Sequence, residues 1–154
     1  MKILSFFTVA VFSFIMMTGC SMTDSPDTAG VYKVKKEYFT GGQIRSEFLM
    51  SDESGQNGVM KQYGYDGHVT SMGRIKNGVN DGVEKWFDKQ GRMIMKVMYV
   101  NGKKHGIQEA YYPNGDVMMS TTYVNSVKSG EAITYNQDGS INKQVIFKNN
   151  EIVN

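Results

Sequence analysis

From Gly58 onward the chain repeats every 24 residues, and no other feature restricts its fold as strongly. Frames open at Gly58, Gly82, Gly106 and Gly130, and the tenth residue of each is again glycine: Gly67, Gly91, Gly115 and Gly139. The sixth residue is aromatic (Tyr63, Phe87, Tyr111, Tyr135) and the twelfth apolar (Val69, Met93, Val117, Ile141). The eighteenth is apolar or aromatic (Ile75, Tyr99, Tyr123, Phe147), and the twentieth is asparagine (Asn77, Asn101, Asn125, Asn149). An earlier copy, one residue longer, begins at Lys33, with Tyr38, Ile44 and Met50 at matching positions and Asp52 in place of asparagine. Residues 33–154 therefore read as about five units: 33–57, 58–81, 82–105, 106–129 and 130–154. Ser126 and Asn150 stand where earlier units have Gly78 and Gly102, as befits terminal units.

Each unit reads as two short strands, which predicts an all-β chain of tandem hairpins. In residues 82–106 the first strand is expected over Val83–Phe87 and the second over Met93–Tyr99, with turns at Asp88–Gly91 and Asn101–His105. Asn-Gly and Asp-Gly pairs tolerate positive φ and mark hairpin turns. A glycine every 10–14 residues would break helices, and the second strand alternates with period two. That alternation gives one apolar face (Val69, Ile75, Met93, Met95, Val97, Tyr99, Val117, Met119, Tyr123, Ile141, Val145, Phe147), expected to pack and to include the sixth-position aromatics. The other face mixes Arg74, Lys76, Lys96, Ser120 and Thr122 with Met72, Trp86, Met98 and Met118. Those last four are the candidate binding residues, because methionine suits adaptable contact surfaces and tryptophan is enriched at hot spots.

The hairpin units, the aromatic at position six and the run Tyr99-x-Asn101-Gly102-Lys103-Lys104-His105-Gly106 resemble the MORN repeat. The bacterial variant found in YwqK-family antitoxins is the closer likeness, since standard units are slightly shorter. The resemblance spans residues 33–154 and implies an elongated, twisted antiparallel sheet with no catalytic residues and a role in protein–protein contact. Its antitoxin branch implies a second reading, immunity by binding and neutralising a toxin.

The first residues carry a different message. Lys2 precedes an apolar run from Ile3 to Met17, too short to span a bilayer and of the length of a signal-peptide core. Met17-Thr18-Gly19-Cys20 resembles a bacterial lipobox, with Met17 a departure from the usual aliphatic residue. That resemblance implies removal of residues 1–19 and acylation of Cys20, with residues 20–32 as a flexible tether. The expected location is the cell envelope, and the periplasmic side of the outer membrane in a Gram-negative host.

Chemistry is sparse. One cysteine excludes an intramolecular disulfide framework, and no nucleophile elbow, zinc-protease, P-loop or dinucleotide motif is present. His68 and His105 read as exposed loop residues, and Glu84, Glu109 and Glu131 as a solvated edge rather than an acid–base site. Seventeen Lys+Arg against 15 Asp+Glu argues against a nucleic-acid partner. The expectation is a non-catalytic, lipid-anchored binding scaffold, with no metal and no cofactor beyond the lipid on Cys20. Its partner is an envelope protein or a toxin.

Overall fold

Two kinds of tight turn alternate along the chain, each dictated by residues at a fixed phase of the repeat. The computed structural model describes residues 30–153. Met17, Thr18, Gly19, Cys20 and the tether up to residue 29 lie outside the described residues. Among the described residues there are twelve strands and no helix. The strands are β1 Lys33–Tyr38, β2 Ile44–Met50, β3 Gly58–Tyr63, β4 Val69–Lys76, β5 Val79–Phe87 and β6 Met93–Val100, followed by β7 Lys103–Lys104, β8 Gly106–Tyr111, β9 Val117–Val124, β10 Val127–Tyr135, β11 Ile141–Lys148 and β12 Glu151–Ile152. They form one open antiparallel sheet in chain order, with β7 and β8 both pairing with β6.

The first kind of turn closes each hairpin over three residues. Gly64 N donates to His68 O at 2.8 Å and Gly67 N to Gly64 O at 2.9 Å. The same pair of bonds recurs at Phe39, Asp88, Tyr112 and Asn136. The closing glycines, Gly42, Gly67, Gly91, Gly115 and Gly139, have φ between 76° and 93°, where a side chain costs about 1–2 kcal/mol.

The second kind is shorter than the sequence suggests. Asn101 and Gly102, at φ 48° and 77°, form a two-residue turn with both central residues left-handed, the type that matches strand twist. The turn therefore ends at Gly102 rather than His105, and strand pairing resumes at once. For the same reason β5 starts at Val79 rather than Val83 and runs through Gly82.

Gly82 is consequently a bulge residue inside a strand. Ile75 faces Asn80 and Gly73 faces Glu84, so Asp81, Gly82 and Val83 together oppose Arg74. Residues 129–131 oppose Thr122 in the same way. Residues 105–108 oppose Val97 and Met98, again two residues in excess. The central glycines have φ 101° (Gly82), 87° (Gly106) and 116° (Gly130). At Gly130 a Cβ would also stand 3.1 Å from Thr122 Cβ.

The two-residue turns stack on one another across the sheet. Gly78 N donates to Gln56 O, Gly102 N to Asn80 O and Ser126 N to Lys104 O, each at 2.8 Å, and Asn150 N to Lys128 O at 3.0 Å. Side chains complete this ladder in two ways. Asn57 Oδ1 accepts from Asn77 N (2.9 Å), and Asp81 Oδ2 from Asn101 N (3.2 Å). In the last two turns the bond is supplied from the other side: Ser126 Oγ accepts from Lys104 N (3.0 Å) and Asn150 Oδ1 from Lys128 N (2.9 Å). Ser126 and Asn150 therefore hold the left-handed conformation of the glycines they replace, both at φ 70°, and add a hydrogen bond in return. The first unit has no such turn. Residues 51–57 form a longer loop in which Asp52 accepts from Ser54 N (3.0 Å) and Asn57 Nδ2 (2.6 Å).

The register predicts that Gly130→Ala, strained in φ and crowded by Thr122, lowers stability by about 1–3 kcal/mol. Urea denaturation of the two proteins measures it, and an unchanged midpoint contradicts the bulge.

Candidate functional site

Paired residues of an antiparallel sheet share a face, so the register sorts every side chain. One face carries the row Phe48, Met60, Gly73, Glu84 and Val97, and beside it Ser71, Trp86, Met95, Ala110 and Met119. Every buried side chain among the described residues lies here: Phe48, Val97, Ser71 and Thr121. It is the inner face. The outer face carries the row Lys36, Glu47, Lys61, Met72, Lys85, Lys96, Glu109, Ser120, Ile133 and Gln144.

This sorting corrects three expectations. Trp86 sits opposite Met95 and Ser71 on the inner face, away from Met72, Met98 and Met118. Its phase in the first strand of a unit cannot be transferred from the second strand without counting the turn between them. The sixth-position aromatics lie on the outer face, not the packed one: Tyr63 OH donates to Glu47 (2.5 Å) and Tyr111 OH to Glu109 (2.6 Å). Finally, Glu84, Glu109 and Glu131 do not form one edge. Glu84 points inward, while Glu109 and Glu131 point outward in different rows, opposite Ser120 and Ile146. His105 is exposed, but His68 is half-buried and bonded to Asp66, its ring occupying the space over Gly64.

The inner face holds a polar cluster at its centre that the sequence reading did not find. Gly73 leaves room there, because its Cβ would stand 3.2 Å from that of Glu84. Burial pushes the half-buried Glu84 carboxyl above its ordinary value, with Tyr99, Trp86 and Lys104 pulling the other way. Asn80 Nδ2 donates to Glu84 at 3.4 Å. Lys104 Nζ donates to Gln108 (2.9 Å) and lies 5.2 Å from the Tyr123 ring centre, and Lys128 Nζ is 5.0 Å from that of Phe147. Trp86 Nε1 is buried on this face, beside the Glu84 carboxyl whose charged form it favours. The cluster is a packing solution, with no nucleophile paired to a base.

The outer face uses a different device twice, a glutamate held by a lysine and a tyrosine, and the two tyrosines, Tyr63 and Tyr111, stand 48 residues apart. Lys36 and Tyr63 hold Glu47, and Lys96 and Tyr111 hold Glu109, with ion pairs of 2.9 and 2.6 Å. The Tyr63 hydrogen bond, then Lys36, keeps the Glu47 carboxyl below its ordinary value; for Glu109 the Lys96 bond leads and Tyr111 follows. Burial and Glu47 push the Tyr63 phenol to about 12. Phe87 occupies the intervening position without a hydroxyl. Around these groups Val83, Met98, Met118 and Ile107 stay open to solvent, at 38%, 40%, 38% and 54% exposure.

A cavity of about 290 Å³ opens beside the 51–57 loop, lined by Ser51, Asn57, Arg74 and Lys76 among others. Arg74 is engaged there with Asp81, and Asn57 with Asp52. Among the described residues no three His, Cys, Asp or Glu side chains come together to hold a metal ion.

With two consecutive units carrying the same turn, bulge and aromatic, the comparison with known families becomes specific. Residues 104–125 and 128–149 match the MORN repeat variant family. The two matches lie 24 residues apart, and each ends at the asparagine, Asn125 or Asn149, that opens a stacked turn. MORN repeats are compatible with a protein-binding scaffold and are typically non-catalytic. No curated protein matches the chain.

The Glu84 carboxyl has a folded-state pKa above its ordinary 4.5, so the folded chain gains from its proton, and that stability is lost as pH rises through the folded value. Glu84→Gln is therefore expected to raise the melting temperature at pH 7, with the gain shrinking toward zero below pH about 4.5. A gain independent of pH contradicts the assignment.

Proposed function

We propose that the chain is a non-catalytic, protein-binding repeat scaffold held at a bacterial cell envelope by acyl chains on Cys20. The observation that carries the binding role is the outer face. It combines exposed Val83, Met98, Ile107 and Met118 with ordered charged groups on a single-layer sheet, and no second layer among the described residues covers it. The match to MORN repeats supports the same reading. The anchor rests on Met17-Thr18-Gly19-Cys20 after an apolar run, with the only cysteine of the chain at the position where acylation occurs. Each buried CH₂ of an acyl chain adds about 0.8 kcal/mol, so several chains hold a small sheet firmly. Residues 20–32 would act as the tether, and twelve or so extended residues reach at most about 40 Å. No cofactor other than the lipid belongs to this reading.

Cys20→Ser is expected to leave the chain unacylated, uncleaved at residue 19 and released from the membrane fraction; unchanged processing and anchoring would remove the lipoprotein assignment. In-cell cross-linking from outer-face positions, followed by identification of the captured chain, tests the scaffold. A toxin as the captured chain would place the protein in the immunity class, and the absence of any protein partner would count against both.

A further inference from the structure

The two ends of the sheet carry opposite charge. At one end the three-residue turns, within residues 39–43, 64–68, 88–92, 112–116 and 136–140, hold Asp66, Asp88, Asp116 and Asp138 against Lys89 and Arg92. At the other end the two-residue turns are flanked by Lys76, Lys103 and Lys148 on the outer face and by Lys104 and Lys128 on the inner one. Lys33 joins them, opposite Met50. The carboxylates there are Asp52, Glu53 and Glu151, while Arg74 and Asp81 pair with each other at 3.0 Å. Even with Glu84, one row further in, counted against the lysines, the stacked-turn end keeps an excess of two positive charges. The hairpin-turn end has an excess of two negative ones, with histidine neutral.

The outer lysines are available. Lys103 and Lys148 make no ion pair or side-chain hydrogen bond among the described residues, and Lys76 acts on Asp81 only through space. All three are exposed. Beside them Val79, Val100 and Val124 are open to solvent at 41%, 44% and 43% exposure. Val79 sits opposite Lys76 and Val100 opposite Lys103, so two successive turns each present one lysine and one valine on the outer face. Successive turns are joined through the 2.8 Å ladder bonds and stand two strand spacings apart, about 10 Å, which fixes them in a row.

The chain enters the sheet at this same end. Tyr32 N donates to Met50 O at 2.7 Å and Tyr32 OH to Glu53 at 3.3 Å, beside the 51–57 loop. The ten residues from Cys20 to Gly30 reach at most about 36 Å when extended.

We propose that the stacked-turn end rests on an anionic lipid surface, with its lysines among the headgroups and its valines at the headgroup boundary, so that the strands stand up from the membrane. The inference rests on the acylated Cys20 of the proposed function and adds to it the orientation of the sheet. An anchor on Cys20 keeps this end near the headgroups at high effective concentration, so a modest charge excess suffices to hold it there. Lysine stems lie along apolar surface while the ammonium stays in water. The same lipid surface repels the opposite end, which sits about 26 Å away at eight residues per strand. Both sheet faces stay open to a protein partner. An acidic protein would meet the same lysines, but only the lipid surface is brought to them by the tether.

The test uses the full acylated chain in phosphatidylcholine vesicles, with and without phosphatidylglycerol. Acylation blocks Cys20, so one introduced thiol carries a fluorophore, at Val100→Cys or, at the far end, at Gln137→Cys. Quenching by lipid spin-labelled at the headgroup is read for each. In anionic vesicles the label at position 100 is expected to be quenched about threefold more than the label at 137, and high salt is expected to remove the difference. Lys76→Glu, Lys103→Glu and Lys148→Glu together are expected to remove it as well, with urea midpoints in detergent confirming that the variant folds. Equal quenching at the two positions in anionic vesicles, or a difference that neutral vesicles reproduce in full, overturns the proposal. So does a cross-linker at position 100 that captures a protein while the label there stays unquenched. In each of these cases the chain still floats with the vesicles and the anchor stands; a chain that does not float removes the anchor and this contact with it.

Discussion

Everything in this sheet depends on the two-residue turn built from an asparagine and a left-handed partner. It closes so tightly that the next strand begins pairing at once, and each unit must then absorb the surplus as a bulge. The bulge requires glycine at Gly82, Gly106 and Gly130, since the backbone there is left-handed and, at Gly130, pressed against Thr122. The backbone bond from each turn to the unit before it converts a string of hairpins into one sheet. Isolated two-stranded hairpins are marginal in water, and it is stacking that makes them stable.

The same register decides which chemistry faces which way. With few fully buried residues, the chain relies on one-sided packing in which neighbouring positions trade size. Gly73 gives way to Glu84. The inner face thereby becomes a polar-aromatic surface centred on Glu84, Tyr99 and Lys104. The outer face keeps its lysine–glutamate–tyrosine groups and its exposed methionine and aliphatic side chains, a combination unsuited to an interior.

Much of this was legible in the sequence. The 24-residue phases of glycine, aromatic and asparagine gave the hairpins, and the alternation of 93–99 and 117–123 gave the correct face for the second strand of those units. Met72, Met98 and Met118 fell on one face as read. Trp86 and the sixth-position aromatics did not, because their face depends on how many residues the turn and bulge consume, which periodicity alone does not count. The pairing of Tyr63 with Glu47 was hidden for the same reason. Tyr63 and Glu47 join β3 to β2, so their spacing carries no meaning until the register is known, while Tyr111 and Glu109 sit two residues apart on one face of β8. The exchange of glycine for Ser126 and Asn150 was visible as a departure, but its purpose required the hydrogen bonds to Lys104 and Lys128. The segment around Cys20 stands on its motif alone.

Trp86 is the only tryptophan, so its fluorescence reports the register without ambiguity. Iodide quenching of the full chain, native and in urea, is the direct measurement. If β5 pairs with Ser71 on one side and Met95 on the other, the native indole is shielded and becomes accessible only on unfolding. Native quenching as strong as in urea would place Trp86 on the outer face and contradict the turn-and-bulge register from which the two faces follow.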